Sequence, residues 1–132
     1  MSTNTYAVTI EPFAERHYIK TFAKKYKKAW DFTLSALIRE FQSFDVILAK
    51  SIAEEITDRN SNVVICKTEF KISGTQESRH ASGNRCIIAQ HKDISKVSIL
   101  LVYSKGDLGD GNETANWKKV IKENYPEYRD IL

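Results

Sequence analysis

The sequence predicts an α+β fold, an antiparallel twisted β-sheet with an N-terminal helical hairpin packed on one face and a C-terminal helix. Three observations point there. Apolar residues in the first half recur at the helical period, the second half switches to strict alternation, and a cappable amphipathic segment follows the last alternating run.

In chain order, Tyr6-Ala-Val-Thr-Ile10 reads as a short edge strand. Glu11-Pro12 opens a helix, because proline at the start of a helix lacks only an N–H that would have no partner there. Tyr18, Ile19, Phe22, Ala23 and Tyr26 line one side of that helix, opposite Lys20, Lys24, Lys27 and Lys28. A break between Lys28 and Trp30 separates it from a second helix with the stripe Trp30, Leu34, Leu37, Ile38 and Phe41. At least one further helical turn is expected between Asp45 and Glu55. Two such helices joined tightly form a helical hairpin.

Over 62–73, Val64, Cys66, Thr68, Phe70 and Ile72 alternate with Lys67, Glu69 and Lys71, the pattern of a strand with one wet face. A polar loop from Gly74 to Asn84 leads to two more strands, Arg85–His91 and Lys96–Lys105, joined by a turn at 92–95. Strands 62–105 form an antiparallel meander. After Gly106–Gly111, Asn112 caps a last helix with Trp117, Val120 and Ile121 on its apolar side, and Pro126 ends it.

The chain has 132 residues, 42% hydrophobic and 28% charged, a length that suits one domain over 1–132 and a composition that excludes general disorder. No apolar run has the length of a membrane span, and the N-terminus carries no basic segment followed by an apolar one, so a cytoplasmic location is expected. Cys66 and Cys86 lie in separate apolar runs without a histidine cluster, which favours buried thiols over a zinc site; no metal or cofactor is expected. Net charge is only +3, but it is segregated. Residues 1–30 carry six Lys/Arg against two acids and 61–105 seven against three, whereas 31–60 and 106–132 are acidic. If the basic segments meet in space they make a surface suited to a polyanion; otherwise they are part of a solvated mixed-charge surface.

Phe70-Lys71-Ile72, the polar loop, and Gly83-Asn84-Arg85-Cys86-Ile87-Ile88 resemble the strand pair of RelE/ParE toxins, an aromatic-Lys-Ile run followed by a Gly-x-Arg run. Ile99–Lys105 resembles their last strand, which ends in basic residues. Phe13, Tyr18, Phe22 and Lys24-Lys25-Tyr26 are typical of their first helix. Asn112-Glu113-Thr114, Trp117 and Lys122–Pro126 resemble a less-characterised branch. The resemblance spans nearly the whole chain and implies the toxin of a type II toxin–antitoxin module. It implies a metal-independent, ribosome-dependent mRNA endoribonuclease that inhibits translation, with an antitoxin protein, mRNA and the ribosome as partners. The alternatives are a ParE-like inhibitor of DNA gyrase without nuclease activity and a non-toxic nucleic-acid-binding module.

Such cleavage uses the RNA 2′-hydroxyl against the adjacent phosphate. It needs a proton acceptor and cations for the phosphate oxygens. The resemblance places Lys71 at the catalytic strand lysine, Arg85 at the phosphate-clamping arginine and Lys105 near a further basic group. Arg79 and His80 in the loop are candidates to contact RNA, and Tyr103 to stack on a base. Each has a plainer alternative: solvated strand lysines, a loop histidine, and for Tyr103 packing on one face with Val97, Ile99 and Leu101. Lys71, Arg85 and Lys105 are expected to share one basic face with Arg79 and His80 over its edge. The sequence departs from RelE at Ser73, where RelE has a second lysine, at Gly106-Asp107, where it has arginines, and at its C-terminal tyrosine, for which Tyr125 and Tyr128 are not evident substitutes.

Overall fold

The computed structural model describes residues 5–132; the first four residues of the N-terminal segment without a basic stretch lie outside them. Strand β1 (Ala7–Ile10) leads into a continuous helical stretch: α1 (Pro12–Ala14), a π-helical segment (Glu15–Ile19) and α2 (Lys20–Tyr26). Lys27 then interrupts the helix with φ 52° and ψ −121°, a left-handed conformation that a side chain disfavours, and α3 (Lys28–Gln42) follows at once. This is the break expected between Lys28 and Trp30, one residue earlier. α4 (Phe44–Ala49) supplies the further helical turn expected between Asp45 and Glu55, and the chain then forms a short strand β2 (Ala53–Glu55).

β3 (Val63–Phe70), β4 (Asn84–His91) and β5 (Lys96–Ser104) form the antiparallel meander read from the alternation. The five-stranded sheet has the order β1-β5-β4-β3-β2, and its edge strand β1 runs parallel to β5. The last elements are α5 (Glu113–Asn124), capped by the Asn112 side chain accepting from the Ala115 N–H at 3.0 Å, and a 3-10 segment (Pro126–Ile131).

Both sheet faces are covered, which corrects the expectation of one wet face. On one side Ile19, Phe22, Trp30, Leu37, Phe41, Phe44 and Ile47 from the helices meet Val64, Cys66, Phe70, Cys86, Ile88, Val97 and Ile99. On the other, Trp117, Ile121, Tyr125 and Tyr128 from the C-terminal elements meet Ile65, Ile87, Ala89, Leu101 and Tyr103. An irregularity in the β4–β5 ladder decides which β5 residues face which core. Ile87 pairs with Leu101 but Ile88 with Ile99, so Leu100 is an extra residue on β5. Val97 and Ile99 therefore face the N-terminal helices while Leu101 and Tyr103 face α5. The expected common face of these four residues is divided by the bulge.

Candidate functional site

α5 does not reach the part of its sheet face nearest β2. Lys67 and Glu69 of β3 remain half-buried there, the local remnant of the wet face that their alternation predicts. With Ser51, Ile52, Glu54, Ser78, Arg79 and His80 they line a depression of about 460 Å³. The loop between β3 and β4 forms one wall and is pinned at several points. Arg79 donates from Nη2 to Glu40 Oε2 at 2.7 Å and from Nη1 to the Glu69 carbonyl at 3.2 Å. Ser82 Oγ donates within 2.6 Å to the carbonyls of Phe70 and Arg79. Gly83, at φ 76°, lets the loop turn into β4, and its carbonyl accepts from the Lys105 N–H at 2.7 Å.

The ladder sets Glu69 opposite Arg85 and Arg85 opposite Tyr103, so these three side chains share a face at the end of the sheet. The Arg85 side chain is only 5% exposed. Its guanidinium lies 3.8 Å from Glu69 on one side and 3.8 Å from Glu113 on the other, and donates to the carbonyls of Asn84 at 3.1 Å and His80 at 3.4 Å. Tyr103 is fully buried and donates its O–H to Glu113 at 2.8 Å; burial first, then that bond, pushes its phenol well above the ordinary tyrosine range. The His80 side chain is 85% exposed, with Nδ1 3.0 and 3.1 Å from the two carboxylate oxygens of Glu69.

The residues singled out from the sequence thus part company. Arg85, expected as a phosphate-clamping arginine on a basic face, is enclosed between carboxylates. Tyr103, considered for base stacking, has no free ring face and packs against α5. Lys71 and Lys105 are exposed just beyond the ends of β3 and β5 but border different depressions: Lys71 one with Phe32, Thr33 and Ser73, Lys105 one with Tyr103, Gly111 and Glu113. Arg79 and His80 do lie over the sheet end, Arg79 already paired with Glu40. Tyr125 and Tyr128 are buried packing residues, Tyr125 donating to the Leu100 carbonyl at 2.6 Å.

Glu69 and Glu113 were not singled out. Glu69 was legible only as a solvated residue between two lysines, and Glu113 only as an acid in the first turn of a helix. Their meeting at Arg85 depends on the docking of α5. Among the described residues no three of His, Cys, Asp and Glu converge in a way suited to a metal ion. None of the helices among these residues is long and apolar enough to cross a membrane.

No protein-family model matches the chain, and no curated protein matches it in sequence. Among solved structures, the archaeal RelE–RelB complex from Pyrococcus horikoshii OT3 matches with a TM-score of 0.52, over 78% of this chain and 98% of that one. The fold is RelE-like. Sequence identity over the match is 12%, so the likeness lies in the arrangement of elements rather than in shared side chains.

Proposed function

We propose that the protein is the toxin of a toxin–antitoxin pair and that it cleaves mRNA on the ribosome without a metal. The observation that carries this reading is the end of the sheet. Here His80, held by Glu69, stands in a loop beside Lys67 and Arg79, with Lys71 and Lys105 exposed at the neighbouring strand ends. An imidazole moves protons near neutral pH, and cations around it hold a phosphodiester and offset charge that develops on it. The RelE-like fold supports the toxin part, since the matching structure is of RelE in complex with RelB.

In this proposal Lys71 and Lys105 engage the RNA backbone on either side of the cut, and Arg85 acts from below by fixing Glu69 and the His80 carbonyl. The partner antitoxin meets the exposed lysines Lys24, Lys25, Lys27 and Lys28, which an acidic segment complements. Replacing them with glutamate should slow association and flatten its salt dependence.

The test is inducible expression in bacteria with translation and DNA supercoiling followed in parallel, and with mRNA 5′ ends mapped on the ribosome. New ends within codons at the ribosomal site support the nuclease. Intact mRNA with gyrase-linked DNA breaks supports a ParE-like inhibitor, the second reading, which the enclosure of Arg85 by two carboxylates favours because it leaves no ready phosphate clamp there.

A further inference from the structure

We infer that His80 is the general base of this cleavage and that Glu69 is its positioning residue, an assignment that rests on the ribonuclease reading and moves the proton acceptor from the strand lysine to the loop. An ionised carboxylate can only accept hydrogen bonds, so the Nδ1 atom facing both Glu69 oxygens carries the proton. When the ring carries that single proton, its lone pair is on Nε2. A carboxylate that fixes tautomer and ring orientation in this way is what a histidine base requires. The loop is tied on both sides of His80: Arg79 bonds to β3 and α3, Ser82 to β3, and Arg85 holds the His80 carbonyl. Glu69 itself is braced by Arg85 at 3.8 Å. The pair therefore forms a chain from the buried arginine to a solvent-facing imidazole at the rim of the 460 Å³ depression.

That depression falls within the about 300–1,000 Å³ common for small-ligand sites, room enough for a nucleotide segment. Lys67 supplies positive charge in it beside Arg79, which is paired with Glu40, while Glu54, opposite Lys67 in the ladder, and Glu69 are its acids. His80 Nε2 takes the proton of the 2′-hydroxyl as that oxygen bonds to the adjacent phosphorus. The bond from phosphorus to the 5′-oxygen breaks with its electron pair leaving on that oxygen, which takes a proton from water. The products are a 2′,3′-cyclic phosphate and a 5′-hydroxyl, and the imidazolium returns its proton to solvent. No oxidant, reductant or metal enters the balance.

Glu69 from β3 contacts the imidazole and Arg85 from β4 lies behind it; the other charged groups around the same depression are Lys67 from β3, Glu54 from β2 and Arg79 from the loop, paired with Glu40 from α3. The experiment measures single-turnover cleavage of mRNA on programmed ribosomes by the purified full chain across pH. His80→Ala should lower the rate about 100-fold or more, abolish the rising limb of the pH–rate profile and leave the urea midpoint unchanged, because the side chain is exposed. Added imidazole should restore part of the rate. Glu69→Gln should lower the rate about tenfold and change the shape of that limb, with Glu69→Asp intermediate, since it acts through the ring's orientation and charge. Wild-type cleavage with His80→Ala within threefold of it, or a large loss that imidazole does not rescue and that leaves the pH profile unaltered, overturns the assignment while the ribonuclease reading stands. Intact mRNA with the wild-type chain overturns both.

Discussion

Replacing Arg85 should unfold the protein more readily than any exposed-strand reading of this residue allows. Its guanidinium is 3.8 Å from a carboxylate on each side, Glu69 and Glu113. At that distance, with an effective dielectric constant of about 20, each attraction is about 4 kcal/mol before the cost of removing the charges from water is counted. That cost offsets most of the gain, so the intact triad contributes little net stability. Arg85→Ala is another matter, because the desolvation remains while the compensation goes. It leaves Glu113 with only the Tyr103 hydroxyl and Glu69 with only the His80 ring, and it frees the His80 and Asn84 carbonyls. Breaking one partner out of a buried ion pair costs about 3–5 kcal/mol. In urea, with a slope of about 2 kcal/mol per molar, that moves the midpoint down by roughly 2 M. Adding Glu113→Gln to Arg85→Ala should recover part of the loss, since a neutral amide needs no counter-charge. An Arg85→Ala midpoint within 0.3 M of wild type (about 0.6 kcal/mol at that slope), or a double variant less stable than the single one, would refute the reasoning.

Burial, then Lys96, holds the His91 imidazole below its ordinary range, with Nε2 2.9 Å from the Tyr128 hydroxyl. The unfolded chain therefore takes up a proton that the folded one resists: stability is fully present above about pH 6.5 and declines as pH falls toward the folded value. Thermal melts from pH 7.5 to 5 should show this decline, and His91→Gln should remove part of it. Lys27→Gly should raise stability by about 1 kcal/mol in chemical denaturation, because glycine relieves a strained φ of 52° that costs more than the added chain entropy. Burial pushes the Cys66 thiol up to about 12 and Cys86 higher still, so a thiol reagent at neutral pH should label neither cysteine until denaturant is added. Trp117→Ala should cost about 3–5 kcal/mol, since its ring is wholly buried between α5 and the sheet.

The elements were legible because each has a local cause. The alternation through Val64, Cys66, Phe70 and Ile72 needs only the pleat, and the start of α5 only the Asn112 cap. What escaped depends on contacts far apart in sequence. The burial of the second face required Trp117 and Ile121 to dock on it; the unbroken apolar run Cys86-Ile87-Ile88-Ala89 in β4 implies cover on both sides but does not say which element supplies the second. The division of Val97 and Ile99 from Leu101 and Tyr103 turns on one extra residue, Leu100, in a run of apolar side chains that reads equally well in either phase. The candidate site was half visible. Lys71, Lys105 and His80 were found as exposed polar groups, but the Glu69–Arg85–Glu113 arrangement arises from strand register plus helix docking. A buried arginine and an exposed one look alike in a string of letters.

The parallel edge strand also sets an order of events in folding. β1 can pair only with residues 96–99 of β5, so one of the earliest segments of the chain waits for one of the latest. The meander of β3, β4 and β5 closes through connections of 13 and 4 residues, far nearer in sequence than β1 is to β5, and such local contacts form fast, whereas long-range pairing is slow because loop closure must come first. During synthesis the N-terminal strand and the lysine-bearing helices behind it therefore emerge well before their seat exists. The sheet gains that edge only when residue 99 has cleared the ribosome, so β1 stays unpaired through the synthesis of the whole meander.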